Sequence, residues 1–217
     1  MLNQRLNTMS IQKRMNYLVG AATMSVIGAA IFVFFALSSL ENQYDDLQKN
    51  TIKGAVYALE IEKELNYISR TSRDIMLGGD YTKNMAKLHE HINKINESFA
   101  GLKESSIHEE EKVLLTEAEE STNAFLDNTL KMMTSLDPAS ITTNTASIYA
   151  RYKKEMTPYA DASRESFEKV VKDKHHDLST SAEEMHNEIA FYKFFVLFTG
   201  VGVAVLIFIF ASMVRRS

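Results

Sequence analysis

The stretch LEIEKELNYISRTSRDIMLGGDY, Leu59 to Tyr81, decides how the rest of the chain is read. Ile61, Leu65, Ile68, Ser72 and Ile75 recur at steps of four, three, four and three, the spacing of one stripe along a helix that packs on other helices. Toward the N-terminus the same alternation runs without interruption through Ala58, Gly54, Thr51, Leu47 and Tyr44 to Leu40. At the other end, Gly78-Gly79 can end the helix in the left-handed conformation, and Asp80 can cap the next one. The stretch therefore predicts one long helix, a tight turn and a second helix.

The following segments repeat the pattern. Met85, Leu88, Ile92, Ile95, Phe99 and Leu102 form the seam of a second helix. Ser106 and Glu109 have the spacing of a capping box that opens a third. Its inner face is marked by Leu114, Ala118, Phe125 and Met132. Asp137-Pro138 and the polar run ASITTNTAS break the chain again. A fourth helix is expected from near Thr145, with Thr157-Pro158 as its true start or as a kink. Ala160, Phe167, Val171, Leu178 and Met185 mark its inner face. Nothing alternates with period two over a strand's length. The fold class predicted is all-α, an antiparallel four-helix bundle.

The ends of the chain differ from its middle. Five bases, Arg5, Lys13, Arg14, Arg215 and Arg216, sit at the ends without any acid, so the remaining nineteen face all 28 acids of the middle. Met15 to Leu40 carries no charge, and neither does Phe194 to Val214. Each run exceeds the roughly 20 residues that cross a hydrocarbon core, where only a helix satisfies its own backbone. The first is too long for the apolar region of a signal peptide. Basic flanks place both termini in the cytoplasm and the acidic middle outside. The expected organisation is a cytoplasmic segment 1–14, a first span 15–40, an outer four-helix domain 41–193, a second span 194–214 and a cytoplasmic stub 215–217. At 1.5 Å per residue, the helix from Glu41 to Leu77 would reach roughly 55 Å from the bilayer. The fourth helix runs into the second span without a breaker, so its movement would be carried across the membrane. Ala21, Ser25 and Ala29, four apart, allow close helix contact in the first span.

Arg70 and Arg73 lie off the seam, on a neighbouring stripe with Val56, Leu59, Lys63, Asn66 and Leu77. This face is apolar near the membrane and hydrogen-bonding toward the tip. Two guanidinium forks with the Asn66 amide one turn away suit a small anion held between two subunits. The plainer alternative is local pairing of both arginines with Glu62 or Asp74, which contributes little.

Span, acidic bundle, span and basic pair together resemble the sensory half of a bacterial methyl-accepting chemotaxis receptor. ELNYISRTSRDIMLGGDY is similar to the first helix of that family's ligand-binding domain, and SLDPASITTNTASIYARYKKEMTPYADASRESF to the start of its fourth. The resemblance implies a homodimer with first helix against first helix, and a ligand pocket at the distal tip. By position it adds Tyr149, Arg151 and Tyr152 to Asn66, Arg70 and Arg73 as ligand-binding candidates. The amino-acid-binding members place their arginines four apart with another upstream. Here the pair is three apart, and Glu62 and Lys63 occupy the upstream positions. The family also implies a sensor in the bacterial inner membrane that binds an anionic or amino-acid-like molecule, directly or through a periplasmic binding protein. Kinase and adaptor contacts would belong to a signalling domain that MVRRS precedes. The same bundle could serve a histidine kinase or cyclase, or bind a periplasmic protein as a structural module.

Enzyme chemistry has no foothold in the sequence. There is no cysteine, no phosphate-cradling loop and no HExxH spacing. His89 and His91 diverge on a helix, as do His175 and His176, so no metal site is expected and these side chains read as solvated. The acids of HEEEK, His108 to Lys112, suit a helix N-terminus. No cofactor is expected, and the acidic middle excludes nucleic acid.

Overall fold

The computed structural model describes residues 11–106 and 108–215. Every element among them is helical: α1 (Ile11–Asp46), a π-helical segment (Leu47–Ile52), α2 (Lys53–Met76), α3 (Tyr81–Ser105), α4 (Glu109–Thr134), α5 (Ile141–Glu155) and α6 (Thr157–Arg215). The contacts divide the chain into two units, residues 46–182 and residues 1–45 with 183–217. Arg5 and Arg216, two of the bases that set the expected orientation, lie outside the described residues.

In the larger unit α2, α3, α4 and the first half of α6 make an antiparallel four-helix bundle around one apolar core. Ala58, Ile61, Ile68 and Ile75 of α2 face Leu88, Ile95, Phe99 and Leu102 of α3, all essentially inaccessible. Phe99 meets Phe167 of α6 edge to face, centroids 6.0 Å apart, a geometry that adds about 0.5–1.5 kcal/mol to the burial of both rings.

The turn after α2 forms as its chemistry requires. Gly78 adopts φ +83°, its N–H donates to Ile75 O at 3.0 Å and that of Gly79 to Asp74 O at 2.9 Å, a Schellman closure. Asp80 then caps α3, accepting from Lys83 N at 3.0 Å. After α4, Asp137 accepts from the N–H of Ala139 at 3.1 Å, which fixes the break before α5.

Several local expectations are corrected. The even seam through Leu47 and Thr51 does not survive as regular α-helix, because the backbone is π-helical there and shifts the phase of the side chains. The box at the start of α4 is displaced by two residues: the His108 N–H donates to Glu111 at 3.2 Å, while the Ser106 hydroxyl is spent on Leu102 O. The helix expected near Thr145 starts at Ile141, whose side chain is buried. It stops at Met156, and α6 begins with Pro158 in its first turn, where the missing N–H costs nothing. On α6 the deeply buried residues are Ser163, Ser166, Phe167, Val170 and Lys174, whereas Ala160, Val171 and Leu178 lie at the edge of the core. Hydroxyl pairs therefore join α4 to α6: Thr122 with Ser163 at 2.9 Å, and Ser121 with Ser166.

In the smaller unit, α1 and the second half of α6 each contain a stretch long and apolar enough to cross a membrane, with none of it buried in the chain's own fold. Phe34, Phe35, Phe198 and Phe208 are about two-thirds exposed or more. The two segments touch through Phe32, whose ring centroid lies 3.8 Å from that of Phe195 and 6.0 Å from that of Tyr192. Ala29 lines an apolar groove shared with Phe195 and Thr199, and the Ser25 hydroxyl turns back onto Ala21 O.

Candidate functional site

The candidate ligand residues divide into two groups by position. Asn66 and Arg70 are exposed on α2 and share a shallow groove with Leu59, Glu62, Lys63 and Tyr67. Among the described residues neither Arg70 nor Arg73 is held in an ion pair, so the local pairing with Glu62 or Asp74 does not form. Arg73, one turn further along α2, stands near Tyr152 of α5. Burial raises the Tyr152 phenol above its ordinary pKa, and the Arg73 charge pulls the other way. Tyr149, half exposed, lies beside Tyr152 on the same helix. Arg151 points elsewhere on α5 and is tied to Glu155 at 3.0 Å.

Asn66 also lines a cleft of about 280 Å³ where α2 and α6 part over Phe125. Its floor is Leu65, Phe125 and Phe167, and its rim carries Glu62, Arg164 and Glu168.

Two buried polar clusters escaped the sequence reading. Glu64, 1% exposed, receives Nδ1 of His91 at 2.6 Å, and Tyr67 stacks on the imidazole, centroids 5.0 Å apart. His91 is therefore not solvated as expected. Glu64 falls three residues after Ile61 and four before Ile68, a core spacing that its charge disguised.

The second cluster joins α4 to α6. Lys174, 3% exposed, pairs with Glu111, 8% exposed, and the half-buried Asp177 carboxyl lies beside the same Glu111 side chain. Ser163, Phe167, Val170, Lys174 and Asp177 follow steps of four, three, four and three, so the heptad was legible once polar residues were admitted to it. The acids of the HEEEK run do open α4, but its third one turns inward. Carboxylate oxygens of Glu111, Asp173 and Asp177 converge within 4.8 Å, yet the Lys174 ammonium already supplies the positive charge there. Burial acts to raise the Glu111 carboxyl, but the hydrogen bonds from Lys174 and Asp177 outweigh it and hold it below the usual range. Asp177 is raised by burial, by its bond to Glu111 and by the charge of Asp173.

A family model described as a four-helix-bundle sensory module for signal transduction matches residues 8–189. The chain belongs to that family. The match covers the whole bundle of this sensory module and the first apolar run, and ends before the second, Phe194 to Val214. Comparison with curated proteins and with solved structures returns no match.

Proposed function

We propose that this sensory module is the sensing half of a transmembrane chemoreceptor of the methyl-accepting class, working as a homodimer in the bacterial inner membrane. The bundle stands in the periplasm, and the module itself does no catalysis. The observation that carries this reading is α6, one helix of 59 residues that holds core residues Phe167 and Val170 and continues through the apolar run after Lys193. A helix cannot bend freely along its hydrogen-bonded length, so a shift of its bundle half is conveyed to its apolar half.

The ligand is a small anion or an amino-acid-like molecule held at the tip between two copies of α2. Unpaired Arg70 and Arg73 supply the charge, Asn66 an amide, and Tyr149 and Tyr152 aromatic walls, with Arg151 at the rim. Val56, Leu59 and Leu77 are all about half exposed or more and supply the apolar part of the α2–α2 contact. The ligand can bias the packing of α6 only by its difference in affinity for the two packings. Output passes to a cytoplasmic kinase and adaptor through a signalling domain, and a periplasmic binding protein is the alternative carrier of the ligand.

The test is calorimetric titration of the whole chain in lipid nanodiscs with amino acids, organic acids and nitrogenous ions. Arg70→Ala and Arg73→Ala are each expected to weaken the ligand found by tenfold or more. Unchanged affinity in both variants would remove the site from the tip of α2. The chain has no cysteine, so a single Leu59→Cys reads the dimer directly. Rapid disulfide formation between copies is expected, and its absence under mild oxidation would argue against α2 facing α2.

A further inference from the structure

The cleft between α2 and α6 has a cause in the sequence. Ala160, Ser163, Phe167 and Val171 follow one stripe of α6, and Glu62, Asn66 and Ser69 follow one stripe of α2. Ser163 meets Thr122 of α4 at 2.9 Å, and Ser166 bonds to Ser121 of the same helix, so short hydroxyl contacts seat α6 on α4. Toward α2 the small side chains of Ala160 and Ser163 leave room, and the Ser69 hydroxyl turns back onto Leu65 O at 3.2 Å. The space left over Phe125 is about 280 Å³. Packed interiors keep few voids of that size, and small-molecule sites begin at about 300 Å³.

The charges around the cleft select its occupant. Glu62 and Glu168 line it from opposite walls, and among the described residues neither is held in an ion pair. The base on the rim, Arg164, is already engaged, donating from Nη1 to Asp161 Oδ1 at 3.3 Å. The cleft thus combines an apolar floor with a negative rim. An anion would be repelled by the two carboxylates, and a bare cation would leave the floor uncovered. An amine on an aryl or branched alkyl body meets both demands, because an ammonium only donates hydrogen bonds and its body can cover the apolar rings.

We propose that the α2–α6 cleft of each chain binds a small amphipathic amine, its apolar body over Leu65, Phe125 and Phe167 and its ammonium between Glu62 and Glu168. Asn66 Oδ1 is a further acceptor on the α2 wall. Every wall comes from one copy of the chain, so the site stands whether or not the tip between two copies takes an anion. Only its consequence for signalling rests on the chemoreceptor reading: the bound amine ties α6 to α2 within one copy and favours the packing in which the two carboxylates are close.

The experiment is calorimetric titration of the whole chain in nanodiscs with phenethylamine, the heat from empty nanodiscs being subtracted. Phenethyl alcohol is the neutral match and phenylpropionate the anionic one. Saturable binding of one amine per chain is expected, with the alcohol about tenfold or more weaker and the anion not bound. Glu168→Gln should weaken the amine about threefold or more, and Glu62→Gln with Glu168→Gln about tenfold or more, between the effects of exposed and buried charged hydrogen bonds. Ala160→Leu fills the cleft and should abolish binding, with thermal unfolding showing that the bundle persists. If that variant does not fold, the exposed Glu168→Gln decides by itself. No binding, equal affinity for amine and alcohol, or undiminished binding without both carboxylates would overturn the proposal. So would one amine per two chains, or loss in Arg73→Ala but not in Glu168→Gln, because the amine would then sit at the tip. Failure of the tip ligand alone, with the amine still bound once per chain, would count against the other site and support this one.

Discussion

Nδ1 of His91 lies 2.6 Å from Oε2 of Glu64, and the carboxylate so engaged is almost wholly buried between α2 and α3. A lone carboxylate cannot be left there, because removing one partner of a buried pair strands the other's charge. His91→Ala should cost about 3 kcal/mol, the lower end for a broken buried pair, since Lys63 Nζ at 3.4 Å still touches the other oxygen. Replacing both, Glu64→Met with His91→Leu, should recover most of that loss. Urea unfolding of the two proteins decides it, and equal losses in the single and double variants would contradict this account.

Thr129 is buried, and among the described residues its Oγ1 has no hydrogen-bond partner. An unmet hydroxyl in a core costs about 1–3 kcal/mol. Thr129→Val keeps the shape and removes the unmet group, so it should raise the unfolding free energy by about 1 kcal/mol. A destabilised valine variant would mean that the hydroxyl does find a partner in solution.

Gly78 holds φ +83°, and a Cβ there would stand 2.7 Å from Cγ2 of Thr142 on α5. The left-handed backbone alone costs a non-glycine residue about 1–2 kcal/mol. Gly78→Ala should exceed that range, and pairing it with Thr142→Ser should return it to the range. If the alanine variant melts with the parent, the turn is not closed as described.

Arg73 and Tyr152 can be tested by titration. Burial raises the Tyr152 phenol, and the Arg73 cation favours the tyrosinate. Arg73→Ala should therefore push Tyr152 still higher, seen as a later ionisation in the ultraviolet titration and absent from Tyr152→Phe. A shift in the opposite direction would separate the two residues.

Much of this protein is legible without coordinates, because helix periodicity and breakers are local properties. Ile61, Ile68 and Ile75 at steps of seven could face only one way, and Gly78 with Asp80 dictates a turn whatever surrounds it. The two uncharged runs declare themselves by length alone. What the sequence reading missed are residues whose own chemistry argues for solvent. Glu64, Glu111 and Lys174 keep the core spacing yet carry charge, His91 keeps it with a polar ring, and burial of such groups is permitted only when a partner arrives from another helix. His91 lies 27 residues from Glu64, and Lys174 lies 63 from Glu111. No local pattern links such pairs. The sequence by itself therefore determined the helices, their breaks and the apolar stripes, through interactions that span a few residues. The tertiary structure alone decided which polar side chains meet inside the bundle, because only packed helices bring opposite charges close enough to offset the loss of water.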